Sequence, residues 1–397
     1  MTAVFDYRAA RGGATPFGPP LRYAQLRDEQ PISQITLWDG SKAWFLTRQQ
    51  DVRAALADER ISADNSRPGF PLVSPGSEEL TAHNPTIVRM DPPEHSRQRA
   101  MVTGDYTHKA VSRIRPQIQQ VVDRLVDSMV AKHPPADLVV EFAQPLAAEV
   151  TCMSLGIPFP GQDFFRRVSS TIPNHYAGQD KLDAANDELT QFLTDLVEHK
   201  AGQPGDDLLS RLVAERSGEL TRDEIIAMAR LLLVGNYDPA ATAIAMGIAA
   251  LFFHPEQLAA LRHDPSLISN GLDELLRYMT IHHTGLPRVA VEDTEIGGQS
   301  IKAGEAVLCY LPAANFDPEW FESPETLDLR RGSSGNVSLG YGIHRCLGQH
   351  LAKLEMEVAI DTLIRRIPNL RLAVELDEVR FSQETALYGV SELPVSW

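Results

Sequence analysis

The sequence predicts a mainly α-helical protein with a small β region. Helical hydrophobic patterning recurs through the middle of the chain, at 111–132, 142–155, 161–170 and 182–200, interrupted at Pro134, Pro135, Pro158, Pro160 and Pro173. One apolar run, EIIAMARLLLVGNYDPAATAIAMGIAALFF, continues for roughly 30 residues or ~45 Å at the helical rise. It is too apolar on every side to be anything but buried. Strand-like alternation is confined to 32–47 and 284–312.

Each element has a local cause. Leu21–Glu29 carries a short helical pattern, and ISQITLW and KAWFLT flank the turn Asp39-Gly40 as a hairpin. A helix follows at 50–57. The segment 65–88 is rich in Pro, Gly and Ser, a long irregular loop of the kind that carries function. In MDPPEHSRQRAMV, Pro92 and Pro93 open a helix on which His95 and Arg99 share a face, two cationic donors able to hold an anion. STIPNHYAGQDKLD, at 170–183, joins two helices with small and polar residues.

Thr221 and Glu224 form a capping box at the start of the apolar run. Near its middle, Pro239 removes a backbone hydrogen bond and crowds the Gly235 carbonyl, at about 3 kcal/mol or more. A buried kink beside the acid Asp238 suggests a site. Glu274 and Arg277 stand three apart on a further helix, the spacing of an ion pair. The second β region has turns at Gly297-Gly298 and Ala303-Gly304, and Arg288 stands just before its first strand.

The composition, 43% hydrophobic and 23% charged, is that of an ordinary globular protein, and no linker divides the 397 residues. A single domain over 1–397 is expected, with 1–20 as an N-terminal extension. The net charge of −16 argues against a nucleic-acid partner. Cys152, Cys309 and Cys346 are far apart and form no CxxC pair, so neither zinc site nor disulfide framework is indicated. With no signal-like N-terminus and no run of eighteen uncharged apolar residues, the expected setting is the cytoplasm, without a membrane.

The stretch at 338–351, SLGYGIHRCLGQHL, concentrates chemistry. Gly340, Gly342 and Gly348 bracket Cys346, which follows His344 and Arg345 and precedes an amphipathic helix. Backbone N–H groups, a helix N-terminus and nearby cations favour a thiolate, the form that ligates metals or attacks substrates. A small buried hydrophobe is the plainer alternative.

LGYGIHRCLG resembles the haem-binding loop of cytochrome P450, Phe-x-x-Gly-x-Arg/His-x-Cys-x-Gly. Gly342, His344, Cys346 and Gly348 fit, while Leu339 replaces the usual Phe. The resemblance implies the cytochrome P450 fold, with its long central helix over haem b and Cys346 as the axial iron ligand in the Gly340–Gly348 loop. It implies propionate ligands at His95, Arg99, Arg288 and His344, and a buried network of Glu274, Arg277 and Arg331. The family's acid–Thr pair, which helps dioxygen take up protons, falls on Asp238 and Pro239. The hydroxyl is therefore absent, Asn236 replaces a commonly small neighbour, and Thr242 lies one turn on as a possible stand-in.

By the same resemblance, Val88, Val234, Gly235, Asp238, Leu286, Val289, Leu387 and Tyr388 line the substrate pocket. The loop at 65–88 and the segment at 170–183 cover it. Electrons would come from a ferredoxin or flavodoxin-type donor with its own reductase, docking on Arg97, Lys109, Arg113, Arg345 and Lys353 of a monomeric protein. The implied activity is monooxygenation, most simply hydroxylation, of a small, largely apolar metabolite. Pro239 keeps open a non-hydroxylating oxidation, such as coupling, ring formation or a peroxide-driven reaction. A non-catalytic haem sensor or carrier is the reading from another class.

Overall fold

The computed structural model describes residues 3–6, 9–12, 15–74, 86–158, 162–172, 179–215, 218–382 and 386–397. About 53% is helical, and the helices are organised around Arg222–Phe253. Its N-terminus is closed by the expected box: the Glu224 N–H donates to Thr221 Oγ1 at 3.2 Å, and the Thr221 N–H donates to Glu224 Oε2 at 2.8 Å. The helix packs against Gln144–Leu155, Leu267–Met279 and Gln349–Arg366. At Gly247 the helices approach closely: a Cβ there would stand in van der Waals contact, at 3.4 Å, with both Ile360 and Met356. Length and composition would allow this helix to cross a membrane, but 61% of its apolar window is buried within the protein itself. Its apolarity is that of a core helix.

Two helical expectations are corrected by proline. The pattern at 111–132 divides into His108–Ser112 and Arg115–Val130, since Pro116 cannot donate and is tolerated in the first turn of a new helix. The pattern at 142–155 begins as a π-turn, Val139–Ala143, and becomes regular at Gln144 with Pro145 in its first turn.

The hairpin forms as expected, with Ile32–Thr36 antiparallel to Lys42–Leu46 and Ile35 opposite Ala43. Lys42–Leu46 then pairs in parallel with Ala306–Cys309, which joins the two sequence-distant β regions in one sheet. Its strands run in the order Ala3–Val4, Ile32–Thr36, Lys42–Leu46, Ala306–Cys309, Leu286–Ala290 and Ile61–Ser62. Arg288 lies inside Leu286–Ala290 rather than before it, opposite Val307.

Glu355 is an oddity of the core. It is 2% exposed on Gln349–Arg366, and its Oε2 has no hydrogen-bond partner. Burial pushes its carboxyl well above the ordinary 4.5. A raised folded pKa contributes stability that is present below the unfolded value and lost as pH rises through the folded one. Glu355→Gln removes that titration. Its melting temperature relative to the parent protein is expected to rise with pH above the ordinary carboxylate range; a pH-independent difference in thermal melts would contradict the burial cost.

Candidate functional site

Away from its ends the central helix is mostly buried, apart from the partly accessible Arg230 and Asn236 and one further set. Leu231, Val234, Gly235, Asp238, Pro239 and Thr242 are all partly or fully accessible, while Leu232, Leu233, Tyr237, Ala240 and Ala241 are buried. The spacing of three and four places the accessible set on a single face. The helix continues through Pro239, so the Gly235 carbonyl loses its intrahelical donor on that face. Thr242 is directed elsewhere: its Cγ2 would stand 2.8 Å from a Cβ on Gly389. It packs on the C-terminal segment.

The cysteine loop reaches this helix. A Cβ on Gly348 would lie 3.3 Å from Asn236 Oδ1. The Asn236 amide nitrogen donates to Ser154 Oγ at 3.5 Å, so this larger residue turns away from the open face. Gly342, at φ +70°, is required by a close approach: a Cβ would stand 2.2 Å from the Leu56 carbonyl oxygen. Gly340 is also left-handed, at φ +73°. The Cys346 N–H donates to the Leu339 carbonyl at 2.8 Å, which closes the loop.

The electrostatic expectation for this cysteine is corrected in sign. Burial pushes the Cys346 thiol up from 9.0, and the Gly348 N–H, Arg99 and Arg345 offset this only in part. Desolvation outweighs the positive bias. A thiolate here therefore depends on a bound cation, since metal coordination deprotonates a thiol outright. Among the described residues there is no cluster of three His, Cys, Asp or Glu suited to a metal, so Cys346 would be a lone protein ligand.

Beside the loop lies a group of cations. The His95 and His344 ring centroids are 4.4 Å apart. His95 is 2% exposed, and neither ring nitrogen has a partner. Burial first, then Arg288, His95, Arg99 and Arg89, push His344 down to about 3. Arg288 is 4% exposed and donates only to the neighbouring Pro287 carbonyl, at 2.8 Å. Arg99 donates to the Arg345 carbonyl at 2.6 Å. Among the described residues no carboxylate lies within ion-pair distance of Arg89, Arg99 or Arg288. Arg99 and Arg288 with the paired imidazoles of His95 and His344 make a donor set suited to an anion with several oxygens.

Behind the loop, Glu274 and Arg277 are both 0% exposed and form a two-pronged pair, Nε to Oε2 at 2.7 Å and NH2 to Oε1 at 2.8 Å. Arg331 Nε reaches Oε1 at 3.2 Å, and Ser333 Oγ donates to Oε2 at 2.5 Å. Arg277 also donates to the carbonyls of Asn315, Pro324 and Thr326. Three distant segments are tied together by this network.

The Cytochrome P450 family profile matches residues 162–377. Cytochrome P450-SU2 of Streptomyces griseolus is 44% identical, over 98% of this chain and 96% of its own length. The chain belongs to the cytochrome P450 family. The crystal structure of CYP105P1 in complex with filipin I superposes with a TM-score of 0.93 at 34% identity, covering 100% of this chain and 99% of its own. The mycinamicin VIII C21 methyl hydroxylase MycCI from Micromonospora griseorubida, bound to mycinamicin VIII, gives 0.91 at 35%, covering 97% and 98%. This P450 is an oxidoreductase of the monooxygenase class with haem as its cofactor. Haem b presents two propionates, an iron and an apolar ring. The cations without counter-charge, the orphaned His95 nitrogens and the lone Cys346 fit it.

The pocket residues divide. Val234, Gly235 and Asp238 lie on the accessible helix face, and Leu286 and Leu387 are half-buried. Val88 is 46% exposed on the turn Ile87–Arg89. Val289 is 1% exposed, in register with Ser62 and Ala306 of neighbouring strands. Tyr388 is corrected: it is 2% exposed, stacked on Phe381 under the Arg11 guanidinium, and its hydroxyl donates to the Pro16 carbonyl at 2.9 Å. It is a core residue. Of the loop at 65–88, residues 75–85 lie outside the described set, as do 173–178 of the segment at 170–183.

The basic patch shrinks. Arg97 pairs with Glu224 and donates to the Glu219 carbonyl, and Lys353 pairs with Asp273 at 2.7 Å. Lys109, Arg113 and Arg345 remain exposed. Two half-buried groups, Arg89 and His282, escaped the sequence reading, because neither lies in a motif. The only available signal was an arginine directly before MDPP.

Proposed function

We propose that this P450 hydroxylates a small, largely apolar organic metabolite in the cytoplasm, with electrons from a ferredoxin or flavodoxin-type donor and its reductase. The accessible face of the central helix, opposite the Cys346 loop, carries this reading. The two solved relatives support it, one a methyl hydroxylase bound to mycinamicin VIII and the other in complex with filipin I.

Cys346 would ligate the iron, and His95, Arg99, Arg288 and His344 would hold the propionates. Bound haem with a thiolate ligand supplies the activation of dioxygen. The chain's own residues orient and protonate. Val234 and Gly235 leave room for a substrate on the accessible helix face, and the Gly235 carbonyl, to which Pro239 cannot donate, would accept from a water or a substrate hydroxyl there. Asp238, one turn along, exchanges protons with that group. The proton path thus uses the carbonyl that Pro239 releases in place of a threonine hydroxyl. Thr242 takes no part, since it faces Gly389.

Under labelled dioxygen one labelled oxygen is expected in the product, and unlabelled product would sink the hydroxylase reading. Pro239→Thr restores the N–H to Gly235 and adds a hydroxyl. The fraction of electrons recovered as product is expected to rise. Unchanged coupling, from product formed per reducing equivalent, would mean that the proline is neutral.

A further inference from the structure

The cations proposed for the propionates come from separate elements. His95 and Arg99 stand on the helix Glu94–Thr103, Arg288 on the strand Leu286–Ala290, and His344 in the cysteine loop. Two propionates on one ring have a fixed spacing, so the elements that hold them must keep theirs.

One acid joins the first two elements. Asp91 lies just before the helix, and its carbonyl accepts from the His95 N–H at 3.0 Å. Its side chain turns to the sheet, where Oδ2 accepts from Ser62 Oγ at 2.5 Å and Oδ1 from the Ala63 N–H at 3.1 Å. Ser62 is 1% exposed and in register with Val289, the residue after Arg288. The path from Arg288 to His95 therefore runs through one strand pairing and one carboxylate. Arg67 stands 3.9 Å from Oδ2, beyond hydrogen-bond reach. Among the described residues, Ser62 and Ala63 are the close donors to this carboxylate.

We propose that Asp91 is a positioning residue for haem: by latching Ile61–Ser62 to the start of Glu94–Thr103, it sets the spacing between Arg288 and the pair His95 and Arg99. This rests on the reading that those cations hold the propionates.

The test follows haem loss from the ferric holoprotein to an excess of apomyoglobin. Ser62→Ala removes the short bond and leaves every charge in place, while Asp91→Ala removes the whole latch. Both are expected to lose haem about threefold or more faster, part of the roughly tenfold that a bond to a charged group carries. The double variant is expected to lose it no faster than Asp91→Ala. Removing the carboxylate also leaves the cations more positive, which by itself would slow the loss, so acceleration reports the latch. Arg288→Gln is expected to speed haem loss on its own, and in that background Ser62→Ala is expected to add nothing. A bond that merely supports the fold would add its effect in both backgrounds. Unchanged loss from Ser62→Ala, slower loss from Asp91→Ala, or equal acceleration with and without Arg288 overturns the proposal. If Arg288→Gln itself loses haem at the parent rate, the propionate reading fails first, so the two failures are distinct.

Discussion

Arg277→Leu is expected to destabilise the protein by about 3–5 kcal/mol, the cost of leaving one member of a buried ion pair alone. Glu274 would keep its charge at 0% exposure with only Arg331, Ser333 and the Asp328 N–H as donors. The carbonyls of Asn315, Pro324 and Thr326 would lose theirs. Arg277→Lys is expected to fare little better, because an ammonium cannot span both carboxylate oxygens and these carbonyls. Replacing Glu274 and Arg277 together by apolar residues should cost less than either alone, since no orphaned charge remains. Urea denaturation of the haem-loaded proteins measures all of these. A loss below about 1 kcal/mol for Arg277→Leu, the range of an exposed pair, would contradict the network.

Cys346→Ala is expected to remove the thiolate ligand proposed for the iron and abolish monooxygenase turnover while the fold persists. The side chain is half-buried in a loop closed by backbone, the Cys346 N–H to the Leu339 carbonyl, so the methyl group of alanine perturbs little packing. Haem retained by the cations proposed to hold its propionates would show a ferric spectrum without thiolate character. Unaltered turnover, or an unaltered thiolate spectrum, would remove Cys346 from the site.

What the sequence made legible follows from the range of the forces involved. The hairpin at Asp39-Gly40 and the capping box at Thr221 rest on contacts within a few residues, and both form where the local chemistry places them. The proline corrections at Pro116 and Pro145 were also within local reach, since each marks a first turn that the periodic pattern overran. Tyr388 shows the other limit. Its neighbours Arg11, Pro16 and Phe381 include residues more than 370 positions away, and no local pattern separates a pocket tyrosine from a core one.

The site divides along the same line. Glu274, Arg277 and Arg331 were found by resemblance, whereas Ser333 and the three carbonyls emerge only in three dimensions. The positive bias around Cys346 was legible as residue types, but its sign was not. The desolvation that raises the thiol depends on how deeply the loop is packed. Arg89 and His282 carry no sequence signature, and their neighbours, Phe70 for the one and Leu387 for the other, are distant in sequence.

The most direct test of the central claim is the carbon monoxide difference spectrum of the reduced, haem-loaded protein. Ligation by Cys346 predicts the strongly red-shifted band of a thiolate-bound haem in the parent protein and its loss in Cys346→Ala. A band typical of histidine ligation in the parent protein, or failure to take up haem, would contradict the account.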